Sequence, residues 1–174
     1  MKKKDILISV AIITAAGLTL WLYLRQEGRV RIDAGNASGV LRLHSGWLRG
    51  ATITSGTAPS PLIARVHRPQ YLSISKGQDG HTWRIDSSGS WGTLSRIRVK
   101  NNQTTALQVG PPFSIKPRVS RSGPVLSIDY AIIGRAGELY QSFVTKDGQA
   151  LTEANINIVD EAGTVLETGK FRYG

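Results

Sequence analysis

The chain has 174 residues, enough for one medium domain or two small ones with a real core. It contains no cysteine, which excludes disulfides, iron–sulfur clusters and thiolate zinc sites. Lys and Arg outnumber Asp and Glu 22 to 12, unevenly: residues 26–121 hold 14 basic against 4 acidic side chains, and residues 122–174 hold 4 against 7. A basic surface attracts anionic headgroups or acidic polymers, and the plain alternative is charge that serves solubility.

Three lysines at 2–4 precede residues 6–24, a run of 19 without a charge. A helix of that length spans about 28 Å, close to the hydrocarbon thickness of a bilayer. Trp21 and Tyr23 lie at its far end, where amphipathic rings favour the interface. The run predicts a single transmembrane anchor in an inner membrane of bacterial type. The cations before it stay in the cytoplasm, and the rest is extracytoplasmic. Arg25, Arg29 and Arg31 weaken that charge bias. The rival is a cleaved signal peptide, but its apolar core is shorter and ends in small residues, whereas this run ends in Trp-Leu-Tyr-Leu-Arg.

After Gly28 short alternating runs replace any helical period. Residues 29–33, 41–44 and 51–54 read as strands. Residues 63–66 and 71–75 read as a pair around Arg68-Pro69. Residues 82–86 and 94–100 follow, with glycine-rich turns at 88–92 between them, and 106–109 closes the first set. Gly110, Pro111 and Pro112 read as a linker, because two prolines do not continue a central strand. The second set comprises 114–119, 125–133, 138–144, 156–159 and 164–166, with hairpin turns at Lys146-Asp147-Gly148 and at 160–163. The final five residues continue strand-like sequence, so completeness of the C-terminus stays open.

Residues 143–171 resemble the carboxypeptidase regulatory-like, transthyretin-like sandwich repeats. The pattern is Val-x-Asp-x-x-Gly-x-Pro-Leu-x-x-Ala-x-Val-x-Val followed by a Gly-x-Phe strand. Val144, Gly148, Leu151, Ala154, Ile156, Ile158, Gly169 and Phe171 fall on it, while Ala150 replaces the preferred Pro and Ser142 the preferred Gly. The resemblance implies a structural and interaction module. The layout also resembles that of membrane-anchored proteins of environmental bacteria, which implies a location and carries over no functional residue.

The expectation is therefore an all-β chain: one or two β-sandwich domains, immunoglobulin- or transthyretin-like, after one N-terminal transmembrane helix. The divisions are a basic tail at 1–5, the anchor at 6–24, a basic β-rich domain at 25–110 and a sandwich-like domain at 111–174. No catalytic set stands out. His44, His67 and His81 match no local metal motif, and there is no Gly-x-Ser-x-Gly elbow and no phosphate loop. Asp79 reads as a turn residue and Asp86 as a strand-end turn. No enzyme activity, cofactor or metal is expected, and an envelope enzyme, which would need convergent polar residues in a pocket, is the second alternative. Arg96, Arg98 and Lys100 alternate with Ile97 and Val99, so a strand there turns three cations to one face. With Arg84 and Trp91 nearby they form a candidate site for an anionic ligand, such as lipid or polysaccharide; the plain reading is a solvated sheet face. Another envelope protein is the remaining expected partner, and nucleic acid is not expected outside the cytoplasm.

Overall fold

In the computed structural model, residues 17, 26–44, 50–56, 58–140, 144–151 and 153–172 are described, 153–154 and 171–172 by backbone alone. The expected anchor at 6–24 lies outside these residues apart from Gly17. Among the described residues no helix is long and apolar enough to cross a membrane. Strands dominate, interrupted by a 3-10 turn at Gly92–Ser95.

The first set is β1 (Glu27–Asp33), β2 (Ser38–His44), β3 (Ala51–Thr54), β4 (Ser60–Ile63), β5 (Val66–Gln78), β6 (His81–Ser87), β7 (Ile97–Arg98) and β8 (Thr104–Gln108). One sheet has the order β4-β1-β8, with β1 and β8 parallel. The larger sheet runs β6-β5-β2-β3, and β7 pairs with the start of β5. Alternation decides which side chains enter the core. Val30 and Ile32 of β1 are buried while Arg29 and Arg31 are exposed, and Leu41 and Leu43 of β2 are buried on either side of exposed Arg42. These residues join Ile53, Leu72, Ile74, Ile85, Ile97, Val99 and Leu107 in one core shared by the two sheets. A fully buried aliphatic side chain contributes about 1.5–3 kcal/mol, so this cluster dominates the stability of the fold.

Three expected strands take a different form. Residues 63–66 and 71–75 are not partners: β4 ends at Ile63, and β5 runs unbroken from Val66 to Gln78. Pro69 is accommodated inside β5 because the register with β2 shifts between Arg42 and Leu43, a bulge of the kind that tolerates a residue without an N–H. Residues 94–100 form only the two-residue β7, because Leu94 belongs to the 3-10 turn.

The later strands are β9 (Ser114–Ser122), β10 (Val125–Ile133), β11 (Leu139–Tyr140), β12 (Thr145–Lys146), β13 (Gln149–Ala150), β14 (Glu153–Val159) and β15 (Val165–Arg172). The expected strand over 138–144 is β11 alone among its described residues. β9 and β10 form a long hairpin about the Gly123-Pro124 turn, with β11 beside the base of β10. β12 and β13 extend the larger sheet beyond β6, through Thr145 opposite Arg84 and Lys146 opposite Trp83. β14 and β15 form a separate hairpin.

The turn between β10 and β11 is tied into the first set. Arg135 donates to the carbonyl oxygens of Asp33 and Val109, at the ends of the parallel strands β1 and β8. Glu138, fully buried, accepts from the Gly110 amide at 2.7 Å, the Ala136 amide at 2.8 Å and the Tyr140 hydroxyl at 2.8 Å. Burial and the neighbouring Glu138 carboxylate push the Tyr140 phenol well above its ordinary pKa.

Candidate binding cleft

The β9–β10 register sorts the hairpin's side chains onto two faces. Ile115, Pro117 and Val119 pair with Ile132, Tyr130 and Ile128 and form an apolar face. Lys116, Arg118 and Ser120 pair with Ala131, Asp129 and Ser127 and form a polar, basic one. An apolar sheet face is ordinarily covered, yet Ile115 is 66% exposed, Val119 59% and Leu126 50%.

The base of this apolar face continues into a cleft of about 350 Å³. Ile115 and Ile132 form one wall with Phe113, and Ile74, Ile85 and Trp83 of the larger sheet form the other. Phe113 is set by an edge-on contact with Tyr140, the ring centroids 5.2 Å apart. The volume is within the range of small-molecule pockets, and nearly all of the lining is apolar.

A cation, Lys76, borders the cleft beside Trp83. The registers place Lys76 of β5, Trp83 of β6 and Lys146 of β12 in one row across the sheet. Side chains of a row share a face, so Trp83 stands between the two lysines. The Lys146 ammonium lies 5.4 Å from the Trp83 ring centroid, a cation–π distance. Arg84 is on the opposite face, where it donates to both Asp86 carboxylate oxygens, at 2.9 and 3.0 Å, and to the Tyr71 hydroxyl. Burial raises the Asp86 carboxyl, but hydrogen bonds from Arg84, Ser73 and Tyr71 outweigh it and hold the group below its usual range.

Lys146 is positioned by the Asp147-Gly148 turn, both residues of which take left-handed φ, as a two-residue hairpin loop requires. Asp147 then pins the turn to the start of β6. It accepts from the Thr82 amide at 2.8 Å and from His81 Nδ1 at 2.7 Å, and these bonds hold its carboxyl below the ordinary value. The folded pKa thus lies below the unfolded value of about 3.9, so this contribution is present above that value and lost as pH falls through the folded pKa. The Thr82 amide NMR shift is expected to be flat from neutral pH down to about 4, then to titrate with a midpoint below 3.9. Asp147→Asn removes the step, and a wild-type midpoint at or above the unfolded value would refute the docking.

The residues singled out from sequence separate into different places. Ile97 and Val99 are buried and Arg96, Arg98 and Lys100 exposed, so the three cations do share an outward face. Arg96 and Arg98 line a shallow groove of about 330 Å³ beside Thr93, Gln108 and Arg135. Arg84 is not beside them. Its partner on β5 is Ser75, whereas β7 meets β5 at His67, eight residues or about 25 Å of strand away. Trp91 is half-buried against the core. Of the histidines, His67 is buried and donates from Nε2 to the Ile63 carbonyl at 2.9 Å, and His44 is exposed. Asp79 occupies a turn as expected, whereas Asp86 lies within β6 as the partner of Arg84. Among the described residues no group of three His, Asp or Glu is placed to hold a metal ion.

Lys76, Lys146 and the apolar hairpin face were not singled out from sequence. Lys76 and Trp83 stand symmetrically about the Asp79-Gly80 turn, and alternating apolar residues flank Gly123-Pro124 on both sides, so both signals were present. Comparison with known protein families, curated proteins and solved structures found no match.

Proposed function

We propose that the chain is a membrane-anchored, extracytoplasmic β-sandwich protein that makes contacts in the cell envelope without catalysis. The observation that carries this reading is the uncovered apolar face of the β9–β10 hairpin. Monomeric proteins rarely expose contiguous apolar surface, and an exposed patch of this kind marks an interaction surface. The 19-residue uncharged run at 6–24 supplies the anchor, and the transthyretin-like pattern of residues 143–171 fits an interaction module.

A photo-crosslinking residue at Val119 is expected to give an adduct of defined mass in intact cells, and one at Lys100 none. A phosphatase reporter fused at the C-terminus is expected to be active outside the cytoplasm. Leu126, on the same face, is exposed, so Leu126→Asp shifts stability by no more than about 0.5 kcal/mol while abolishing the Val119 adduct. A cytoplasmic reporter, or a hydrolytic activity lost in His81→Ala, overturns the proposal.

A second reading, an anionic-polymer or anionic-lipid module, is favoured by the groove that Arg96 and Arg98 share. Charge reversal at both is then expected to abolish binding to an anionic polysaccharide or lipid at low salt. Full salt resistance of any binding counts against it.

A further inference from the structure

We infer that the cleft beneath the β9–β10 hairpin binds an apolar chain of an amphiphile whose head is anionic. The inference rests on the envelope reading and supplies its ligand chemistry. The walls are aliphatic and aromatic: Ile74, Ile85, Phe113, Ile115, Ile132 and Trp83. Burial of an alkyl chain there is favourable in proportion to the area it removes from water. A sugar or a nucleotide needs convergent donors and acceptors along its length, and this lining has almost none. Lys76 lines the cleft beside Trp83, and Lys146, just outside the lining, lies against the same indole. Two lysines on the strands to either side of Trp83 complement a carboxylate or phosphate at the interface between tail and water. Arg84 also borders the cleft, but its guanidinium is held by Asp86 and Tyr71, which leaves Lys76, with Lys146 beside it on Trp83, to meet an anionic head. The exposed apolar face of the hairpin leads directly into the well, so a chain leaving a bilayer has a continuous apolar path to it.

The same chemistry is available as a free fatty acid and as a membrane lipid, and photolabelling separates the two. The full chain in phosphatidylcholine nanodiscs is exposed either to a diazirine-bearing fatty acid or to a diazirine-bearing phosphatidylglycerol within the disc. Adducts are located by peptide mapping. The expected result is labelling at Trp83, Phe113, Ile115 or Ile132. Labelling by the fatty acid alone defines a free-amphiphile site, and labelling by both defines access from the membrane. Lys76→Glu with Lys146→Glu is expected to weaken anionic labelling about tenfold and to leave a neutral-headed probe unchanged. Ile132→Trp, which fills the well, is expected to block both probes and covers the case in which the charge reversal disturbs folding. Absence of adducts at the cleft from either probe overturns the inference, as does equal labelling of the wild type and the lysine variant by the anionic probe. If cleft labelling fails while the Val119 adduct persists, the ligand is rejected and the envelope reading stands. If both fail, both are rejected.

Discussion

Glu138→Ala is expected to destabilise the chain by about 3 kcal/mol or more, a large part of the roughly 5–15 kcal/mol that holds a domain folded. The carboxylate is fully buried and serves three donors: the Gly110 amide, the Ala136 amide and the Tyr140 hydroxyl. Removing it orphans all three, and each buried unsatisfied donor costs about 1–3 kcal/mol. Gly110 ends the first set of strands and Ala136 sits where the chain returns from the β9–β10 hairpin, so Glu138 closes the base of that excursion. Glu138→Gln is milder, about 1–3 kcal/mol, because a carbonyl at the Oε1 position still serves Gly110 and Tyr140 while the amide NH2 faces the Ala136 N–H. Tyr140→Phe costs about 1 kcal/mol alone and less in the Glu138→Gln background, because the two side chains share one bond. Urea midpoints at constant m-value measure all four proteins, and a Glu138→Ala midpoint equal to wild type would show that the array does not form.

Strand positions were legible because alternation is a local consequence of the pleat. Residues 51–54 and 125–133 were read with the bounds that β3 and β10 have, and both hairpin turns in the second set lie where Asp-Gly and Ala-Gly place them. Reading failed where tertiary contacts override the local rule. Pro69 argued for a break, but the bulge opposite Leu43 absorbs it, and β5 continues. Leu94 and Ile97 are both buried although three residues apart, a spacing that a 3-10 turn, and not a strand, brings to one side. The cleft was the least legible part. Its lining comes from residues 36–37, 74, 76, 83–85, 111, 113, 115, 132 and 144, which no local pattern links. The pairing of Lys76 with Trp83 follows from a hairpin turn, whereas that of Lys146 with Trp83 joins segments distant in sequence. The grouping of Arg84 with Arg96 and Arg98 assumed that β6 and β7 are neighbours, and they instead meet different ends of β5.

Gly92→Ala is expected to cost about 2–4 kcal/mol through backbone alone, with no change in hydrophobic content. Gly92 has φ of +54°, where an L side chain is strained, and an added Cβ would lie 2.2 Å from the Ala136 carbonyl oxygen and 2.6 Å from the Gly137 carbonyl carbon. Both obstacles are main chain, so relief requires the 134–138 turn to withdraw. Withdrawal breaks the bonds that the Thr93 amide and hydroxyl donate to Ala136 at 2.8 and 3.1 Å. Reduced freedom of the unfolded chain offsets only about 0.4–1 kcal/mol of this. Gly77→Ala is the matching control: its Cβ meets nothing within 4 Å, and it is expected to be neutral or to stabilise by up to about 1 kcal/mol. The turn that Gly92 admits also holds Glu138 and leads to Tyr140, against which Phe113 packs in the cleft wall. Gly92→Ala is therefore expected to be less than additive with Glu138→Gln and to weaken photolabelling of the cleft, although residue 92 is not part of its lining. Full additivity with Glu138→Gln would show that the 3-10 turn and the buried carboxylate support the cleft independently.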